Sequence, residues 1–249
     1  MHSLTTLVCG HQSRAGTAKI ALDQLSTSID TFANRAVSFL NTAMSDETRA
    51  FGPFCARVLL ENACAALVGR LDTFRMLYLS EFQAQPEYEP GKRAKSAFSW
   101  SGDVMPDDKA AQTLWNIDHD LPKISRALFS KHIEHVYWRP ALDSMLDFVS
   151  SQPHDPAHAD LMNIDSETFM TQVRGRSNQL YSILSKGVHW EFFTSAILFD
   201  EATIKSAIRD TCTLTSQLGL ASHFIPTAYA KLESNQALAA YSEFKASLT

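Results

Sequence analysis

The sequence has little of the chemistry on which secreted, membrane or metal-dependent proteins rely. Its four cysteines, Cys9, Cys55, Cys64 and Cys212, match neither a C-x-x-C pair nor a disulfide framework. Reduced thiols in a cytoplasm are the simplest reading. No uninterrupted apolar run reaches the roughly 18 residues of a membrane helix, so no membrane partner is expected. The first residues carry a short apolar patch without the charged region of a secretory leader. Lys and Arg total 22 against 27 Asp and Glu, which excludes a broad basic surface for duplex nucleic acid. There is no alternating strand pattern, internal repeat, glycine-rich phosphate loop, G-x-S-x-G elbow or H-E-x-x-H pair.

What is present is a helical period along most of the chain. Between Ala18 and Met44, Ile20, Leu22, Leu25, Ile29, Phe32, Ala36, Phe39 and Leu40 recur at steps of three and four. The next run, Asp46 to Phe82, is capped by Asp46 and kinked or restarted at Pro53. Beyond Pro53 it is apolar nearly all round, as a central helix covered on several sides would be. Residues 84–107, rich in Pro and Gly, read as a long internal loop. Helical pattern resumes in KAAQTLWNI and LPKISRALFSKHIEHVYW, and Pro140 is expected to break or bend it. A second loop covers 151–165. Asp165 or Ser166 caps the next helix, and Asp200 caps another that ends near Gly219. A last helix runs from about Thr227 to Leu248. The expectation is one all-α domain over 1–249, a bundle of about seven or eight helices.

The stretch LYSILSKGVHWEFF poses the functional question. Stepping roughly 100° per residue from Arg174 places Asn178, Ser182 and Ser185 within a sector of roughly 80°. His189 joins them if the helix lasts that far. Short hydrogen-bonding groups in a narrow seam suit contact with another polar surface: a partner helix, a symmetry mate or a ligand. Gly187 is expected to close the helix in a left-handed conformation. His189 would then sit at the exposed carbonyls, where the helix dipole favours imidazolium. Such a residue can donate a proton, bind phosphate, or simply finish the cap.

LYSILSKGVH resembles the Tyr-Ser-x-Leu-Ser-x-x-Val-His end of several bacterial HEPN-like families. ARVLLENACAAL, with Arg57, Glu61 and Asn62, is similar to the Arg-x-x-x-Glu helix that often precedes it. The resemblance implies an HEPN-like bundle from toxin–antitoxin, abortive-infection or phage-defence systems. It also implies a dimer with paired polar helix ends, sometimes a metal-independent endoribonuclease that senses or cleaves RNA. In the active families four to six residues lie between an Arg and the His that follows it. Here those positions hold Leu184, Ile183 and Ser182. The catalytic candidates are therefore His189 with Arg174 and Arg176, and as second choice Arg126 with His132 in RALFSKH. The competing reading is a non-catalytic helical adaptor whose interface is Asn178, Ser182 and Ser185, in a homodimer or hetero-complex.

Lys92, Arg93 and Lys95, beside Phe98 and Trp100, are candidate RNA-binding residues, since cations grip phosphates and aromatics stack bases. His132 and His135, with His154, Asp155, His158 and Asp160, match no recognised metal motif. They read as exposed polar residues, and neither a metal nor a cofactor is expected. Arg57 with Glu61 and Asp72 with Arg75 have helical pairing distances.

Overall fold

The structure is a computed structural model. It describes residues 2–11, 16, 18–43, 45–92, 97–107, 113–189 and 200–248, with the backbone alone for His189. Among them there is no strand, and the all-α expectation holds as a single bundle. The helices are α1 (Ser3–Cys9), α2 (Lys19–Asn41), α3 (Asp46–Leu71), α4 (Thr73–Gln83), α5 (Lys131–Ile133), α6 (Arg139–Ser150), α7 (Ser166–His189), α8 (Glu201–Ser222) and α9 (Ser234–Ala246).

α3 is the axis. Ser45, rather than Asp46, caps it by accepting from the Thr48 N–H at 3.1 Å. Asp46 and Glu47 then sit in the first turn, where the helix dipole favours acids. Pro53 lies inside the helix without ending it. α2, α8, α7, α1 and α4 all pack on α3, which explains its lack of a polar face. α3 is also long and apolar enough to cross a membrane by composition, but most of that span is buried inside the bundle.

The Asp46–Phe82 run is two helices. Asp72 leaves helical geometry, ends α3, and caps α4 by accepting from the Arg75 N–H at 3.3 Å. α8 passes through Gly219 to Ser222. That glycine serves close approach: a Cβ there would lie 2.9 Å from Leu7 Cβ on α1. Asp165 and Asp200 cap α7 and α8 as expected, accepting from the Thr168 N–H at 2.8 Å and the Thr203 N–H at 2.7 Å. α9 begins at Ser234, later than the sequence pattern suggests.

Residues 113–130 are turns and one 3-10 turn at Leu121–Lys123, so Thr113–Ile117 and the RALFS segment are not helical. Helix resumes at Lys131 behind the Ser130 cap. Pro140 does not break it: a π-helical turn, Glu134–Trp138, joins α5 to α6 and leaves Pro140 in the first turn of α6, where its missing N–H is harmless. Residues 151–165 contain a 3-10 turn, Pro156–Leu161.

Candidate functional site

α7 does not stop at Gly187. It continues to His189, so the expected left-handed closure is absent. A glycine inside a helix weakens it only modestly, and here the helix overrides that preference. The continuation keeps position 189 on the same face as Arg174, Asn178, Ser182 and Ser185. The His189 side chain lies outside the described residues. Leu180 and Leu184 are buried on the opposite side, while Asn178 and Ser182 are exposed and Ser185 is half-buried. Among the described residues, none thus covers the middle of the seam.

The arginines assigned to catalysis are occupied. Arg174 pairs with Glu134, a buried carboxylate on the π-helical turn. Arg139 donates to the same carboxylate at 2.9 Å and reaches Glu167 at 3.4 Å. The Glu134 contact raises the Arg139 pKa. A buried acid held between two guanidiniums ties the π-turn to α7 and leaves Arg174 little freedom to meet a phosphate. Its Nε is buried with no acceptor among the described residues. Arg176 points elsewhere and pairs with Asp210 on α8, at the rim of a 510 Å³ groove between α7 and α8.

The second candidate pair is likewise divided. Arg126 donates to Asp72 at 2.5 Å, and His132 places Nε2 2.5 Å from the Leu114 carbonyl. Trp115 meets the rings of His132 and His135 edge-on. The other acid and histidine cluster is structural rather than simply exposed. His158 is buried with Nε2 2.8 Å from Ser242 Oγ, and Asp160 accepts from Tyr241 and Lys245 of α9, both at 2.9 Å. Among the described residues no group of three or more His, Cys, Asp or Glu is placed to hold a metal.

Of the proposed RNA-binding cluster, Arg93 and Lys95 lie outside the described residues. Lys92 pairs with Glu89 at 2.7 Å. Trp100 is not available to a base: it is buried and stacks on Tyr181 of α7, with ring centroids 4.4 Å apart. The Arg57 guanidinium covers the Tyr181 ring from 3.6 Å and donates to the Tyr181 carbonyl at 3.3 Å. Glu61 completes the assembly, accepting from Arg57 Nε at 2.9 Å. The resemblance-bearing Arg57–Glu61 pair therefore clamps α3 to α7.

Asp72 and Arg75 do not pair with each other through their side chains. Arg75 reaches Asp103, and Asp72 reaches Arg126. Both contacts lie in a 1030 Å³ cleft between α4 and residues 97–107 and 122–126. Its mouth carries two exposed rings, Phe74 and Tyr78, whose centroids are 6.2 Å apart. Their signal in the sequence is the spacing of aromatics four apart in TFRMLYLSEF, continuing to Phe82.

Searches with this chain against protein-family models, curated proteins and solved structures find no match.

Proposed function

We propose that this chain is a helical adaptor subunit that acts by docking, in the bacterial conflict or defence setting that its HEPN-like resemblance implies. The α7 seam of one copy would meet the seam of a second, with Asn178, Ser182 and Ser185 at the contact. The supporting observation is the commitment of the cations. Cleavage of a phosphodiester needs positive groups free to meet the developing charge. Arg174, Arg176 and Arg126 are instead held by Glu134, Asp210 and Asp72. The exposed part of the seam offers small neutral groups, which permit close approach of another helix without burying an unpaired charge.

A second reading is metal-independent RNA cleavage at His189, with RNA as the partner. The extension of α7 to position 189, in line with the seam, favours it. The discriminating experiment incubates the purified full chain with single-stranded RNA in EDTA. The adaptor reading expects no cleavage above the buffer control. Cleavage that survives EDTA and is lost in a folded His189→Ala variant would replace it with the nuclease reading.

A further inference from the structure

We propose that the cleft between α4 and residues 97–107 and 122–126 is a docking site for a basic polypeptide segment, one that carries arginine or lysine among apolar residues. The site is distinct from the α7 seam and does not depend on it. Its floor and walls supply shape. The cleft encloses 1030 Å³, at the upper end of what small-ligand sites offer and enough for a few side chains of an extended or helical peptide.

Its rim supplies the aromatic contact. Phe74 is 72% exposed and Tyr78 59%, unusual for large rings with no partner chain in place. They continue through Phe82, stacked on Tyr78 at 6.3 Å, to Tyr88, edge-on to Phe82 at 5.7 Å. The result is a row of rings along one side of α4, adjoining a second depression of 440 Å³ beside Phe82 and Tyr88.

Charge decides the occupant. The described cations along this surface are all neutralised from within. Arg75 pairs with Asp103, Arg126 with Asp72, Lys123 with Asp120 and Lys92 with Glu89. Among the described residues, the charges left over are acidic. Among the described residues, Glu81 and Glu87 are exposed and form no ion pair, and Asp107 is engaged only by the Ser101 hydroxyl at 3.1 Å. Glu81 lies within roughly 20° of Phe74 around the α4 axis, so one face of the helix presents ring and carboxylate together. An aromatic face bordered by carboxylates attracts a guanidinium or ammonium through both the ring quadrupole and the charge. It repels phosphate. A nucleic acid is therefore the poorer fit here, despite the rings.

The test is fluorescence anisotropy with the full chain. The probes are a labelled short peptide alternating arginine and leucine, its glutamate–leucine counterpart, and a single-stranded RNA oligonucleotide. The arginine peptide should bind, and more weakly as salt rises. Phe74→Ser, Tyr78→Ser and Glu81→Lys should each weaken it by about tenfold, while Tyr78→Phe should not. All three positions changed are at the surface, and unchanged melting curves confirm that the fold is retained. The proposal is overturned if the arginine peptide fails to bind, if these variants bind it as wild type does, or if the glutamate peptide binds equally well. RNA binding that depends on Phe74 and Tyr78 would overturn it too, by making the cleft a nucleic-acid site. None of these results bears on association through α7.

Discussion

Arg70 Nη2 lies 3.1 Å from His223 Nδ1 in the closed interior of the bundle, with no carboxylate paired to either among the described residues. Nδ1 also accepts from the Leu232 N–H at 3.0 Å, so the imidazole proton is on Nε2, which donates to the Leu7 carbonyl at 2.9 Å. The arginine is satisfied by neutral acceptors, the carbonyls of Tyr229 at 2.8 Å and Leu7 at 3.2 Å and the Ser222 hydroxyl at 2.5 Å. Burial pulls the Arg70 pKa down to about 10, which still leaves it charged at neutral pH. One cation thereby joins α1, α3 and the turn after α8.

The pair makes the fold acid-sensitive. Burial, followed by the neighbouring Arg70 charge, holds the His223 pKa well below its ordinary 6.5. Above pH 6.5 the imidazole is neutral in both folded and unfolded chains. Below it the unfolded chain takes up a proton that the folded chain refuses, so stability falls as pH falls. The limiting slope is about 1.4 kcal/mol per pH unit from this one group. Urea unfolding at stepped pH values should show that loss in wild type and a shallower dependence in His223→Gln. Equal slopes would mean that His223 takes no part.

Removing Arg70 should be costly at every pH. Arg70→Ala strands several buried acceptors and opens a cavity, and should destabilise by about 3–5 kcal/mol. Arg35→Ala is the control: its ion pair with Glu47 is half exposed on both sides, and it should cost less than about 1 kcal/mol. A mild effect of Arg70→Ala in equilibrium unfolding would contradict this description of the core.

The Trp100–Tyr181–Arg57 stack yields a sharper contrast. The Tyr181 ring is held on both faces, but its hydroxyl makes no hydrogen bond among the described residues. Tyr181→Phe should therefore lie within about 0.5 kcal/mol of wild type. Tyr181→Ala removes both stacking contacts and should cost about 2–3 kcal/mol. Chemical denaturation of the two variants separates a packing role from one that needs the phenol.

Much of the architecture could be read locally. Asp165 and Asp200 as caps, and Arg57 with Glu61, are choices made within one helical turn, and the sequence displays such neighbours directly. The misreadings share a cause. Asp72 and Arg75 have helical spacing, yet their partners, Arg126 and Asp103, come from a distant irregular segment. Arg174 looked available because Glu134 lies forty residues away in sequence. Gly187 and Gly219 carry the residue type of a helix end, and only the packed bundle shows helices running through them. Trp100 stacks on Tyr181, again on a remote helix. The fold class rests on period, which is local; the site rests on pairings that are not.

The adaptor account stands or falls on association through α7. Light scattering of the purified full chain, beside a Ser182→Glu/Ser185→Glu double variant, measures it directly. The account predicts the mass of two chains for wild type. The double variant should give the mass of one, because like charges would face each other across a two-fold contact. A single-chain mass for wild type, or an unchanged two-chain mass in the double variant, would contradict it.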